Sequence, residues 1–255
     1  MNDSLFVRFL AVKRFRSFFA ALKDGASFCP KDSSSSFAVF LSLILGVLPG
    51  LSYLLLPIDS LDTPVFVLLV SMLGGFLLRS RVTESGRNRN QLQLGFWKRL
   101  SLIHTGVAVG CIPLVILLIL APEQFTSVKQ GLVAADAPGL GRPSPWRVVL
   151  FVLLVSTWAG LTEEVLYRGV LLSLIRRWSA WNSRQAATWS AVLLSSALFA
   201  FCHIPLWGPV LSLGLFFVGI GFSLGFVASG EDLAGVVLYH ILFDCLSLSV
   251  ALFLI

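Results

Sequence analysis

Two adjacent glutamates and an arginine interrupt a long apolar run of the chain. The run covers residues 148–175, and Glu163, Glu164 and Arg168 lie near its middle. Ionisable side chains are costly in hydrocarbon, and those that occur in membrane helices usually face the interior of a bundle and pair with one another. The stretch therefore predicts a membrane helix whose charged side chains are turned towards other helices.

The spacing within this stretch gives the two glutamates different tasks. Glu164 and Arg168 are four residues apart with the acid first, which is the favourable orientation for an ion pair along a helix. Glu163 points about 100° away from Glu164 on a helix and is not needed for that pair. A lone buried Glu–Arg pair is usually a structural clamp, but an unpaired glutamate beside it favours chemistry.

Composition extends the membrane interpretation to the whole chain. Of the 255 residues, 56% are hydrophobic and 13% are charged, and the mean hydropathy is +0.88, which excludes an ordinary soluble domain. The net charge of +6 comes from short basic blocks between apolar runs, as the positive-inside rule produces, and does not indicate nucleic-acid binding. The four cysteines form no CxxC pair, so we predict neither a disulfide framework nor a cysteine metal site.

The expected fold is all-α: a polytopic transmembrane bundle of about seven spans, with a four-helix catalytic core in its C-terminal part. Residues 1–36 form a basic amphipathic segment, interpreted as a helix on the cytoplasmic membrane surface or as a tail that only fixes orientation. Residues 37–145 hold the N-terminal membrane helices, and 146–255 hold the catalytic core. The basic loops predict a multi-pass protein of the cell membrane with a cytoplasmic N-terminus. The spans are predicted at residues 37–56, 65–78, 100–120, from 146 onwards, 186–205, 210–228 and 233–254.

Two further polar clusters lie in the last spans. One is Phe199 with His203, and the other is His240 with Asp244, which are four residues apart and therefore share a helix face. Taken alone, His203 is typical of an interfacial histidine, and His240–Asp244 is typical of a small buried polar pair. Together with Glu163 they supply the parts that activate a water molecule.

Two chemistries suit these parts. In the first, Glu163 is a general base, His203 holds or polarises the same water, and His240, oriented by Asp244, stabilises the oxyanion that forms at a carbonyl. In the second, Glu163, His203 and His240 hold a divalent metal such as zinc with an open water position. No HExxH sequence is present, and spacing alone does not separate the two.

The order Glu-Glu-x-x-x-Arg, Phe-x-x-x-His, His-x-x-x-(Asn/Asp) on successive membrane helices resembles the CAAX prenyl protease and bacteriocin-processing family, also called the Abi family. The resemblance covers roughly residues 146–250. It implies an intramembrane peptidase. The family has been described both as metalloproteases and as metal-independent glutamate proteases, and we favour the second, without a cofactor, because no further carboxylate or thiolate completes a metal shell. Asp244 replaces the asparagine of the CAAX protease, and an ionised carboxylate has no N–H to donate, so orienting His240 is its alternative role. The implied catalytic residues are Glu163, His203, His240 and Asp244, supported by Glu164, Arg168 and Phe199.

The expected function is therefore an endopeptidase that cleaves a hydrophobic, lipid-modified or membrane-anchored protein or peptide within the lipid bilayer, with no nucleic-acid partner. A non-catalytic membrane scaffold or bacteriocin-immunity protein is the second interpretation. The third is a proton-coupled transporter, which the lack of an evident inverted repeat disfavours.

Counting helix rise puts Glu163 and His240 in the inner half of the bilayer and His203 towards the outer half. Their meeting requires a broken or tilted helix, such as a lateral helix after Gly160-Leu161, or a fifth helix that starts inside the cytoplasm.

Overall fold

The computed structural model describes residues 14–24, 40–46, 94–121, 123, 145–178 and 183–253. Every regular element in these ranges is helical, which confirms the predicted all-α class. Residues 14–24 and 40–46 are short helical segments. The longer elements are α1 (Phe96–Leu120), α2 (Pro145–Glu163), a π-helix (Glu164–Leu172), α3 (Ser173–Arg176), α4 (Arg184–Ala228) and α5 (Leu233–Phe253).

Two of the described helices, α1 and α4, are long and apolar enough to cross a membrane, and α5 carries a shorter apolar stretch at Leu233–Ser249. The predicted second span, and the predicted first span apart from 40–46, lie outside the described residues. The count of seven spans, the four-helix core and the division at residues 36 and 145 therefore stay predictions. Of the predicted amphipathic segment at 1–36, residues 14–24 are helical, and Phe18 and Leu22 on one face of this helix are buried.

Helix α4 folds back on itself at Gly208. The backbone of Gly208 leaves the helical region, with φ 70° and ψ 168°. The positive φ is open to glycine, and the extended ψ suits a residue before Pro209. Ser196 Oγ lies 3.4 Å from Ser223 Oγ, 27 residues further along the chain. A straight helix of that length would separate the two residues by about 40 Å. Residues 184–207 and 209–228 are therefore two antiparallel arms, separated where the sequence predicts the break between the fifth and sixth spans.

Glycines bring α1 and the second arm of α4 into backbone contact. A Cβ added to Gly106 would lie 2.6 Å from the carbonyl oxygen of Gly221, and one added to Gly110 would lie 2.5 Å from that of Phe217. Gly225 meets the backbone of Ile103 in the same way. Small residues allow membrane helices to approach closely, and the glycine-rich sixth predicted span accordingly packs against α1.

Replacing Gly106 by alanine should lower the free energy of unfolding by about 1–3 kcal/mol, because the new methyl group forces two backbones apart. Thermal or denaturant unfolding in detergent micelles measures this loss. Gly95→Ala is the matched control, since no heavy atom lies within 4 Å of the Cβ it adds. Equal stability of the two variants would show that the α1–α4 contact is not tight.

A polar turn between α4 and α5 ties one end of the bundle together. Glu231 pairs with Arg176 and with Arg177, and Asp232 pairs with Arg99 at the start of α1. The Lys/Arg pattern assigns these arginines to the cytoplasmic loops but gives no side for this turn, which contains no basic residue of its own. The ion pairs put the turn at the same end of the bundle as the basic loops.

Candidate active site

Glu163 is the last residue of α2, and its carboxylate faces two imidazoles. Its Oε1 lies 3.8 Å from Nε2 of His203, and its Oε2 lies 3.9 Å from Nε2 of His240. The two histidines come from different elements, the first arm of α4 and α5. The structure thus brings together the glutamate and both histidines that the sequence singles out.

His203 is oriented by its own helix. Its Nδ1–H donates to the carbonyl oxygen of Phe199 at 2.7 Å, and its ring packs against the Phe199 ring with centroids 4.5 Å apart. A neutral imidazole that donates from Nδ1 carries its lone pair on Nε2. In the neutral form of His203, the nitrogen that faces Glu163 is therefore an acceptor.

His240 lies between two carboxylates. Its Nδ1–H donates to Oε1 of Glu164 at 2.6 Å, and its Nε2 lies 3.3 Å from Oδ2 of Asp244. Asp244 thus approaches the same nitrogen that faces Glu163, and the contact at the opposite side of the ring comes from Glu164. The bond to Glu164 joins residues 76 positions apart, and no local pattern in the sequence indicates it.

Glu164 and Arg168 form the predicted ion pair, and both side chains are fully buried. Arg168 donates from Nη1 to Oε1 of Glu164 at 2.9 Å and from Nη2 to the carbonyl oxygen of Gly219 at 3.3 Å. Its guanidinium lies 4.7 Å from the centre of the Phe199 ring and 5.3 Å from that of Phe222, within cation–π range of both. Phe222 is a neighbour of the site that the sequence analysis does not identify.

A break after Gly160-Leu161, one of the alternatives that the sequence leaves open, is absent, and the irregularity lies just beyond it. Helix α2 continues to Glu163, and the helical hydrogen bonding changes to the wider π pattern at Glu164. π-Helical segments often occur at functional sites because they redirect side chains. Here the change separates Glu163, which faces the two histidines, from Glu164, which faces the buried arginine.

The depth conflict between His203 and Glu163 is resolved by the register of the helices. Arg176 donates from Nε to Thr188 Oγ1 at 3.2 Å, and Tyr167 donates from its hydroxyl to Cys202 Sγ at 2.9 Å. The first arm of α4 therefore runs antiparallel to the π-helix, with Thr188 level with Arg176. Glu163 and His203 lie at similar distances along their helices from the Arg176–Thr188 contact, and they are therefore at the same depth in the bundle.

The site has a buried side and an accessible side. Glu164 and Arg168 are 0% exposed and His240 is 6% exposed, whereas Glu163, His203 and Asp244 are 18%, 16% and 22% exposed. The accessible groups are those that would meet a substrate. Within the described ranges, no group of three or more His, Cys, Asp or Glu side chains has the geometry of a metal site.

Comparison with known protein families identifies this part of the chain. Residues 145–246 match the family model of type II CAAX prenyl endopeptidases, described as Rce1-like. Residues 145–246 form an Rce1-like domain. This confirms the family resemblance for the matched residues, and the family is one of membrane-embedded proteases of the CAAX type. No curated protein and no solved structure matches the chain.

The Rce1-like domain contains all the residues predicted to act in the site. The catalytic roles of Glu163, His203, His240 and Asp244 and the supporting roles of Glu164, Arg168 and Phe199 stay predictions. The geometry adds Phe222 and the Glu164–His240 bond to that set. Tyr167 joins it as a packing residue, since it is buried and its ring meets that of Phe199 edge to face.

Proposed function

We propose that the protein is an intramembrane endopeptidase in which Glu163 activates the attacking water. The observation that carries this proposal is the approach of one carboxylate to two imidazoles, at 3.8 Å and 3.9 Å. These distances are longer than a direct hydrogen bond, and polar groups so separated are commonly bridged by water. In the proposed reaction the attacking water binds between Glu163 and His203.

His203 acts as an acceptor in this arrangement. Its Nδ1–H is engaged by the Phe199 carbonyl, so Nε2 accepts a hydrogen bond from the water and orients it. Glu163 takes the proton as the water attacks the scissile carbonyl carbon. The C–N bond of the tetrahedral intermediate then breaks, and Glu163 returns the proton to the leaving amine, so that the carboxylate is regenerated.

His240 stabilises the negative charge that forms on the carbonyl oxygen. A neutral ring that donates from Nδ1 to Glu164 has no proton left on Nε2, so donation to the oxyanion requires the doubly protonated imidazolium. A carboxylate near each ring nitrogen, Glu164 at 2.6 Å and Asp244 at 3.3 Å, suits that form. Asp244 acts as the resting partner of Nε2–H, and the oxyanion competes with it during the reaction.

The substrate is a membrane-anchored or lipid-modified protein or peptide. The site lies among apolar helices, and its accessible groups are Glu163, His203 and Asp244. A scissile bond can meet them only if its flanking segment enters the bundle, which a lipid chain or an apolar helix does at little cost. The match to CAAX prenyl endopeptidases supports a cleavage site near a prenylated cysteine. We further propose a multi-pass protein of the cell membrane with a cytoplasmic N-terminus.

The proposed reaction uses no metal. Three side chains, Glu163, His203 and His240, are the candidate ligands for a divalent ion, which would supply Lewis-acid activation of the water. Hydrogen bonds to Glu164 and the Phe199 carbonyl hold Nδ1 of both imidazoles, and metal-binding histidines in other proteins are commonly held by such a bond at the nitrogen that does not bind the metal. Inhibition by a chelator therefore separates the two mechanisms.

The test is peptide cleavage by the full chain reconstituted in lipid vesicles. Three probes are compared: a peptide with an S-prenylated cysteine near its C-terminus, the same peptide without the lipid, and an apolar transmembrane peptide. We expect cleavage of the prenylated peptide, resistance to a divalent-metal chelator, and a decrease in kcat of about 10²–10³-fold in His203→Ala.

Other outcomes of the same assay are equally decisive. Inhibition by the chelator that added zinc reverses would favour the metal mechanism. Failure to cleave any of the three probes, by a protein that is folded and inserted, would favour a scaffold. A flux across the vesicle membrane that depends on a pH gradient would favour a transporter.

A further inference from the structure

Phe222 joins the buried part of the site to His240. It lies on the second arm of α4 and is 1% exposed. Its ring centre is 4.9 Å from that of His240, and the two planes are inclined by only 33°, so the rings are stacked with a tilt. Its other neighbours are the Arg168 guanidinium and the edges of Tyr239 and Phe243.

The two histidines of the site are supported in the same way. Phe199 packs against His203 and Arg168, and Phe222 packs against His240 and Arg168. The guanidinium therefore contacts two phenylalanine rings, each of which also contacts one imidazole. One buried cation is thus linked to both imidazoles through two phenylalanine rings.

The polar partners of His240 lie at the edge of its ring. Nδ1 donates to Glu164 at 2.6 Å, and Nε2 faces Asp244 at 3.3 Å and Glu163 at 3.9 Å. A tilt of the ring plane would carry Nε2 away from Asp244 and Glu163. A flat aromatic face packed against the imidazole opposes this motion, because tilting one ring against the other loses contact area.

We propose that Phe222 is the positioning residue for His240: its ring sets the plane of the imidazole and thereby aims Nε2 at the oxyanion. This inference rests on the proposed peptidase function and extends it to a residue outside the three sequence motifs. Phe222 acts through His240 and does not meet the substrate.

The experiment compares two nearly equivalent phenylalanines. Phe222 and Phe226 lie one turn apart on the same arm and are both 1% exposed. Of these two, only Phe222 takes part in the described aromatic and cation–π contacts of the site. Methionine fills much of the volume of phenylalanine without a ring. Phe222→Met therefore removes the stacked face, and Phe226→Met reproduces the change in packing at a matched position.

Two measurements are made on each variant. Since the chain has three histidines, selective ¹³C-histidine labelling gives three ring signals, which His104→Gln and His203→Gln assign. The Phe222 ring current displaces the His240 signal, so Phe222→Met should shift that signal while leaving His203 in place. In the cleavage assay, Phe222→Met should lower kcat about 10–100-fold with KM within about twofold, because small displacements of a catalytic group are costly.

Phe226→Met should leave the His240 signal unchanged and kcat within about threefold, and Phe222→Tyr, which keeps the ring, should retain both. If Phe222→Met does not accumulate, Phe222→Leu takes its place with Phe226→Leu as its control. Equal effects of the changes at Phe222 and Phe226 would overturn the proposal and leave Phe222 a packing residue. The labelling experiment requires no substrate, so an inactive wild type would refute the peptidase proposal while the His240 signal still tests the ring stacking on which this inference rests.

Discussion

Glu163→Gln should lower kcat by about 10²–10⁴-fold, the range lost when a general base is removed. Glutamine has nearly the same shape and still accepts hydrogen bonds, but it takes no proton from water. The variant should fold and insert normally, because Glu163 is partly exposed and its nearest ionic neighbours are 3.8 Å and 3.9 Å away. The measurement is cleavage of the prenylated peptide by protein whose abundance and unfolding temperature have been matched to the wild type.

Glu123→Gln is the control for this change, because it makes the same substitution at an exposed glutamate in the described part of the chain. Its kcat should stay within about twofold of the wild type. Wild-type activity in Glu163→Gln would remove Glu163 from the reaction. Loss of activity together with loss of folded protein would instead assign Glu163 a structural role.

The contacts that the sequence predicted were the local ones. Glu164–Arg168 and His240–Asp244 each join residues four apart, and helical periodicity alone brings such residues together. The break between the fifth and sixth spans was equally local, since it depends on Gly208 and the neighbouring Pro209. These predictions required no knowledge of how the helices pack.

The contacts between elements were not predictable in the same way. The Glu164–His240 bond depends on the relative height of the π-helix and α5, which no spacing within either element determines. Phe222 is one of 21 phenylalanines, most of which lie in apolar stretches, and its contact with Arg168 arises only when the second arm of α4 packs against the π-helix. Phe222 lies near Gly219, whose carbonyl oxygen accepts a hydrogen bond from Arg168, but this relation is visible only in the structure.

The predicted depth conflict shows the same limit. Counting helix rise assumes that neighbouring helices begin at the same level, but Thr188, inside α4, is level with Arg176 at the end of α3. The break expected after Gly160-Leu161 was therefore unnecessary. The π-helix that begins at Glu164 was also not predicted, because Glu164 and Arg168 have the spacing of an ordinary α-helix.

Arg168→Met should have the largest effect on stability, lowering the free energy of unfolding by about 3–5 kcal/mol. Arg168 and Glu164 are both fully buried, so losing the arginine leaves a carboxylate in an apolar interior with one remaining partner, His240. Oε2 of Glu164 has no hydrogen-bond partner among the described residues, so no bond at that oxygen offsets the loss of the arginine. Denaturant unfolding in micelles measures the loss.

A second substitution identifies the cause of that loss. Glu164→Gln combined with Arg168→Met removes the buried carboxylate that the arginine no longer balances and should recover at least half of the lost stability. Arg99→Met is the matched control, since Arg99 pairs with Asp232 at a partly exposed position and its loss should cost about 1 kcal/mol or less. Recovery of stability without recovery of kcat would separate the two tasks of Glu164: balancing the charge of Arg168 and holding Nδ1 of His240. If the double variant were as unstable as Arg168→Met, the penalty would instead come from the lost packing of the guanidinium between Phe199 and Phe222.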